Sequence, residues 1–143
     1  RTVIQRVSAA SITVDGQTVG RIGAGLCIFI GIGKDDNSDQ AAALADKVKH
    51  LRIFEDQAEK MNRSVLDIGG EDSVSQFTLY GDCDKGNRPS FTGAALPAVA
   101  RELYEEFARR LSAAGLSVAT GQFQAHMNVA LVNDGPVTLV LEA

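Results

Sequence analysis

LCIFIGI, residues 26–32, is almost continuously apolar, and its reading decides the fold. It falls far short of the ~20 residues a membrane span needs. A short run of this kind suits a central strand covered on both faces. Gly31 and Gly33 at its end mark a bend or the close approach of another backbone. Upstream, residues 3–7 and 11–14 alternate in polarity as half-buried strands do. Asp15-Gly16, between SITV and QTVGRI, is a hairpin signal, because glycine tolerates the positive φ such turns need. Downstream the period changes. Ala41, Leu44, Val48 and Leu51 fall at helical spacing, behind the N-cap oxygens of Asn37, Ser38 and Asp39.

A second helix is expected from about Pro97 to Ala114, with Val99, Leu103, Phe107 and Leu111 as its apolar stripe. Pro97 suits its first turn and Gly115 its stop. Residues 116–120, 127–133 and 137–142 return to strand character. Between the helices, residues 55–93 are rich in Gly, Asp, Asn and Ser around a strand core at 74–80. The expected fold is therefore α+β: one domain over residues 1–143, with a mixed, curled or barrel-like sheet and two packed helices.

A chain of 143 residues, 45% hydrophobic and 22% charged, is long enough to bury a sizeable core. Residues 1–14 lack the basic, apolar, small-residue order of a signal peptide. Cys27 and Cys83 have neither metal-ligand spacing nor the density of a disulfide framework, so a cytoplasmic location is the default expectation. The net charge of −4 argues against a protein that grips nucleic acid mainly by neutralising phosphates. Local clusters (Lys47, Lys49, His50 and Arg52; Lys85 and Arg88) read as solvated faces.

The two histidines, His50 and His126, have no second His or Cys at ligand spacing, so neither a metal nor another cofactor is expected. No serine sits in a G-x-S-x-G elbow. GRIGAG, residues 20–25, lacks the Lys-Ser/Thr ending of a phosphate loop and suits a hairpin. Two segments stand out. Ser75, Gln76 and Thr78 sit beside Phe77 in an otherwise core-like strand: an edge strand, or a strand end whose donors face a pocket and hold an oxyanion. Asn133-Asp134-Gly135-Pro136 reads as a tight hairpin turn, or as a Gly-Pro bond that aims two carbonyls.

VIQRVSAASITV near the N-terminus, LRIFED followed by KMN, then SQFTLY, RPSF and NDGPVTL occur in unbroken order along essentially the whole chain. Together they resemble the D-aminoacyl-tRNA deacylase family. The resemblance implies hydrolysis of the ester that joins a D-amino acid, or glycine, to the terminal adenosine of tRNA. It implies homodimers with active sites at the interface. By it, Ser75, Gln76, Phe77 and Thr78 match the catalytic pocket, and a cis Gly135-Pro136 from the partner subunit matches the chiral gate. Arg6 matches the arginine that props that loop, although a surface strand arginine is its plainer reading. Ala94, Phe123 and Met127 match positions that line the substrate pocket. One departure stands out: residues 71–74 (EDSV) are polar, and about one residue short, where the family usually carries an apolar strand.

The expected chemistry is mostly backbone, with N–H groups near residues 77–78 as oxyanion donors and a ribose hydroxyl of the substrate assisting. A Thr78 nucleophile is the alternative, weak without a base beside it. Two rivals remain: a Ser/Thr esterase that depends on His126, and a non-catalytic nucleic-acid-binding module.

Overall fold

The computed structural model describes residues 1–76 and 78–143. In chain order the elements are β1 (Thr2–Val14), β2 (Gln17–Ile22), β3 (Gly25–Ile30), α1 (Ser38–His50), β4 (Phe54–Glu55), β5 (Met61–Arg63), β6 (Glu71–Gln76), α2 (Pro97–Ala113), β7 (Ser117–Thr120) and β8 (Asn128–Leu141). At 13 residues, β1 is long enough to take different neighbours at its two ends. Its first half pairs antiparallel with β3, from Thr2↔Ile30 to Val7↔Gly25. Its second half pairs with β2, from Ala10↔Ile22 to Val14↔Gln17, through a turn at Asp15 (φ 49°) and Gly16 (φ 77°). Along the opposite edge β1 pairs with β8.

On the far side of β3 the sheet becomes parallel: β6 lies beside β3, and β7 beside β6. It then curls until β2 meets β7, where a Cβ built on Gly20 would stand 3.2 Å from Ala119 Cβ. The result is a mixed, nearly closed barrel, as the polarity pattern predicts. Gly25 is needed for the parallel pairing, since a Cβ there would collide with the Glu71 carbonyl.

Both helices cover one face of this sheet. Asn37 caps α1 with a reciprocal box: its Oδ1 accepts from the Asp39 N–H (2.8 Å), and Gln40 Oε1 accepts from the Asn37 N–H (2.8 Å). Leu44 and Val48 of α1 meet Leu103, Phe107 and Leu111 of α2 in a core with Ile4, Leu26, Ile28 and Val74. Gly115 (φ 96°) ends α2. A second cluster of Val7, Ala10, Ile22, Cys27 and Phe29 packs on the other face, since Cys27 and Phe29 alternate along β3 with Leu26 and Ile28. Among the described residues no helix is long and apolar enough to cross a membrane.

Two elements differ from the sequence expectation. The strand expected at 74–80 starts at Glu71 and, as described, reaches Gln76. β3 and β7 supply backbone partners on both sides, and that pairing overrides the polar side chains of Asp72, Ser73 and Ser75, which end up buried. The segment is thus an interior strand and not an edge. The strands expected at 127–133 and 137–142 are one strand, β8, interrupted where its register jumps.

Burying Asp72 has a thermodynamic consequence. It is 0% exposed, opposite Leu26 and Val118, with no hydrogen bond to either carboxylate oxygen among the described residues. Burial pushes its pKa up to about 7. The folded chain therefore keeps a proton that an unfolded aspartate has lost above pH ~4, so stability declines as pH rises from there to about 7. Urea unfolding at pH 5 and pH 8 should show the chain losing roughly 2 kcal/mol relative to Asp72→Asn over that interval. Asp72→Leu should exceed the parent at pH 8 by roughly 2–4 kcal/mol. A parent as stable at pH 8 as at pH 5, relative to Asp72→Asn, would contradict this.

Candidate active site

The C-terminal end of β6 opens on a cavity of ≈ 220 Å³ whose lining includes Gln76, Thr78, Tyr80, Phe91 and Ala94. Its floor is the glycine-flanked end of β3, where a Cβ on Gly31 would stand 2.8 Å from Leu79 Cβ and one on Gly33 2.7 Å from Tyr80 Oη. These are the close approaches that the glycines of LCIFIGIG signal. Arg1 adds support by donating from Nη1 to the Leu79 carbonyl (2.8 Å) and lying 4.6 Å over the Tyr80 ring.

Backbone groups at this strand end are held from the side by α2 and the 121–127 loop. Val74 O accepts from Gly121 N–H (3.0 Å) and from Tyr104 Oη (3.1 Å). Burial pushes the Tyr104 phenol up to about 12, so it stays a donor at every working pH. Gln76 Oε1 accepts from the Gln124 N–H (3.4 Å). The Ser75 side chain is buried, with no hydrogen bond to Oγ among the described residues. A Cβ on Gly121 would stand 3.3 Å from Ser75 Oγ and 2.6 Å from Met127 Sδ, so Ser75 and Met127 share one neighbour. Phe123 packs against Tyr104 at 6.0 Å between ring centroids. Thr78 is exposed, and no described hydrogen bond joins its hydroxyl to His126 or to a carboxylate. The Phe77 expectation lies outside the described residues.

The Gly-Pro segment lies elsewhere. On β1 the ladder partners step from Gln5 to Val7, while on β8 they step from Thr138 to Asn133. Four residues, Asp134 to Val137, thus bulge out opposite the single residue Arg6. The Gly135-Pro136 bond is cis and Gly135 has φ 128°. Arg6 is 6% exposed, so it is not a surface strand residue. It donates from Nε to the Asp134 carbonyl (2.9 Å) and from Nη1 to the Ile53 carbonyl (2.6 Å), with the Asp134 carboxylate 3.7 Å away. A Cβ on Gly135 would stand 2.7 Å from Arg6 Nη2, so only glycine fits above the guanidinium.

One chain therefore holds the sequence-predicted residues in three settings. Gln76, Thr78 and Ala94 line the cavity; Ser75 and Met127 meet at Gly121, while Phe123 lines a separate cleft with Tyr104 and Gly121; Arg6, Gly135 and Pro136 form the bulge. Between β6 and β8 lie β3 and β1, about 14 Å along the sheet at ~4.8 Å per strand. Among the described residues β8 pairs only with β1, and Val132 (59%) and Val140 (63%) are exposed on it. Sequence reasoning missed Tyr104 and the Ile53 carbonyl, and took Asn133 only as part of a turn. Tyr104 was detectable as a polar tip on the apolar face of α2, whereas a backbone acceptor leaves no residue signature.

The family described as D-Tyr-tRNA(Tyr) deacylase matches residues 3–142. The chain is 58% identical over 144 residues to a D-aminoacyl-tRNA deacylase of Thermotoga petrophila, covering 100% of this chain and 97% of that one. It is 54% identical, with the same coverage, to one of Clostridioides difficile. A solved structure titled c-Myc DNA Unwinding Element Binding Protein superposes with a TM-score of 0.93 at 37% identity, over 99% of this chain and 97% of that one. A probable eukaryotic D-amino acid tRNA deacylase superposes with a TM-score of 0.85 at 16% identity, over 99% and 98%, a likeness of fold alone.

Arg6 is the charged group that holds the bulge. Arg6→Met leaves the Ile53 and Asp134 carbonyls without their donor, and should cost roughly 2–4 kcal/mol in urea unfolding. Arg6→Lys, which lacks the fork that reaches two carbonyls at once, should recover less than half of that loss. Full recovery by lysine would show that charge alone matters.

Proposed function

The chain belongs to the D-Tyr-tRNA deacylase family, and we propose that it hydrolyses the ester joining a D-amino acid, or glycine, to the terminal adenosine of tRNA. This is proofreading of charged tRNA, and its substrate belongs to the cytoplasm. The observation that carries the reading is the bulge: an exposed Gly-Pro pair held by a buried arginine.

Water attacks the ester carbonyl carbon, and the carbonyl oxygen becomes an oxyanion. Backbone N–H groups around residues 77–78 hold that oxyanion. The bond to the ribose oxygen then breaks, that oxygen takes a proton, and a free amino acid and tRNA leave. A neighbouring ribose hydroxyl relays the proton, which fits the absence of a described base bonded to Thr78. Ser75 and Gln76 shape the strand end. Ala94, Phe123 and Met127 receive the terminal adenosine.

The Gly135 and Pro136 carbonyls accept from the substrate's amino group. An L side chain would then point into backbone and be rejected, while glycine would pass. Because these carbonyls and the β6 end stand apart in one chain, the protein works as a homodimer, each site completed by the partner's bulge. The open β8 edge with its exposed Val132 and Val140 supports a surface of that kind.

Matched D- and L-aminoacyl-tRNA should separate sharply, with rapid ester loss from the D form and little from the L form. Equal rates, or none, would sink the reading. Thr78→Ala should keep single-turnover hydrolysis within about tenfold of the parent, whereas a Ser/Thr nucleophile predicts a loss of 10³ or more, of the order seen when such groups are removed. Two individually inactive variants, Ala94→Phe in the cavity and Gly135→Val in the bulge, should complement when refolded together. In a two-fold dimer, random mixing restores about a quarter of the sites. No recovery would mean that each chain carries its site alone.

A further inference from the structure

We infer that Asn133 is a positioning residue that aims the Pro136 carbonyl, and so sets how strictly the site rejects L substrates. The inference rests on the deacylase reading above. Asn133 stands where β8 leaves its ladder with β1, and Thr138 where it rejoins. Asn133 Oδ1 accepts from the Val137 N–H (2.8 Å), and Asn133 Nδ2 donates to Thr138 Oγ1 (2.8 Å). Thr138 Oγ1 also accepts from Gln5 Nε2 of β1 (3.2 Å). A three-residue staple thus closes the neck of the bulge.

The geometry of the peptide unit turns this staple into an aiming device. Pro136 C=O and Val137 N–H belong to one planar trans unit, so they point in opposite directions. Drawing the Val137 N–H inward to Asn133 therefore turns the Pro136 carbonyl outward. Val137 is the first residue after Gly135 with an N–H to hold, since proline has none. Arg6 acts on the other shoulder: it draws in the Asp134 carbonyl and so turns out the Gly135 N–H. Arg6 does not bond the Val137 N–H, and Asn133 alone holds it among the described residues.

The experiment compares Asn133→Ala, Asn133→Asp and a core control, Val65→Ala, by thermal unfolding, by the D-to-L ratio of kcat/KM on matched aminoacyl-tRNA, and by hydrogen exchange at the Val137 amide. Asn133→Ala should lower the ratio about tenfold, the worth of one such hydrogen bond, and speed exchange at Val137 by a similar factor. Asn133→Asp should restore both, because its carboxylate accepts from Val137 and from a Thr138 hydroxyl turned to donate. The control should lose stability with its ratio intact. An unchanged ratio in Asn133→Ala, or a ratio that falls equally in the control, overturns the inference. So does an unprotected Val137 amide in the parent, which needs no activity to be read. A parent with no preference for D substrate fails the deacylase reading instead, and the Val137 exchange still decides whether the staple exists.

Discussion

Arg6 sits where four residues of β8 face one residue of β1, and its guanidinium satisfies what that mismatch would leave unpaired. The bulge takes the Asp134 carbonyl out of the ladder. Burying a cation beneath it is costly unless its N–H groups find acceptors. The two requirements answer each other: the Asp134 and Ile53 carbonyls take the N–H groups, and the Asp134 carboxylate balances part of the charge. The Ile53 contact ties the bulge to the segment just before the β4–β5 hairpin. That hairpin is itself closed by Asp56, which accepts from the Ala58 and Lys60 N–H groups. The bulge is therefore fixed from outside its own strand. A second register shift follows at once on β1, between Val7 and Ala9, and beyond it the two strands pair regularly from Ala9↔Val132 to Thr13↔Asn128.

β6 depends on a different constraint. Its side chains are too polar for a core, yet it has parallel partners on both sides. Parallel pairing satisfies the backbone and leaves the side chains to fend for themselves: Asp72 is driven toward its neutral form, and Ser75 lies buried beside Met127 and Gly121. Tyr104 compensates at one point by reaching the Val74 carbonyl. The strand carrying the candidate chemistry is thus held by its backbone, and its stability is weakest where its side chains are least suited to burial.

Features set by one residue and its own backbone were legible in the sequence. Asp15-Gly16 turns because both adopt positive φ, Asn37 caps because its side chain reaches two residues on, and Gly115 stops α2 in the same left-handed region. Features set by a partner were not. Asn-Asp-Gly-Pro has the composition of a hairpin turn, and only the presence of β1 alongside makes it a bulge in one continuous strand. Glu71-Asp72-Ser73 reads as loop because hydropathy does not record who supplies the ladder. The candidate residues were reached through a resemblance spread over the chain, and the acceptors that hold Arg6 are backbone carbonyls, which carry no letter.

A site that discriminates with backbone carbonyls inherits a specific strength and a specific demand. Its strength is indifference to the substrate's side-chain identity: a carbonyl that meets the amino group reads the configuration at Cα and nothing beyond it. Its demand is that the peptide plane be fixed, because a carbonyl has no rotamers of its own and swings with the plane. Packing from one side leaves that plane free to rock about the chain direction. Holding it needs an anchor on each shoulder, and the bulge has two of different kinds: a buried cation at Asp134 and a neutral amide at Val137. The cation's strength comes from burial and is little affected by salt. The amide bond joins two neutral groups and is weaker than the charge-assisted one, so the Pro136 side is the softer of the two. Rocking of the peptide plane should therefore begin there, with the arginine still in place.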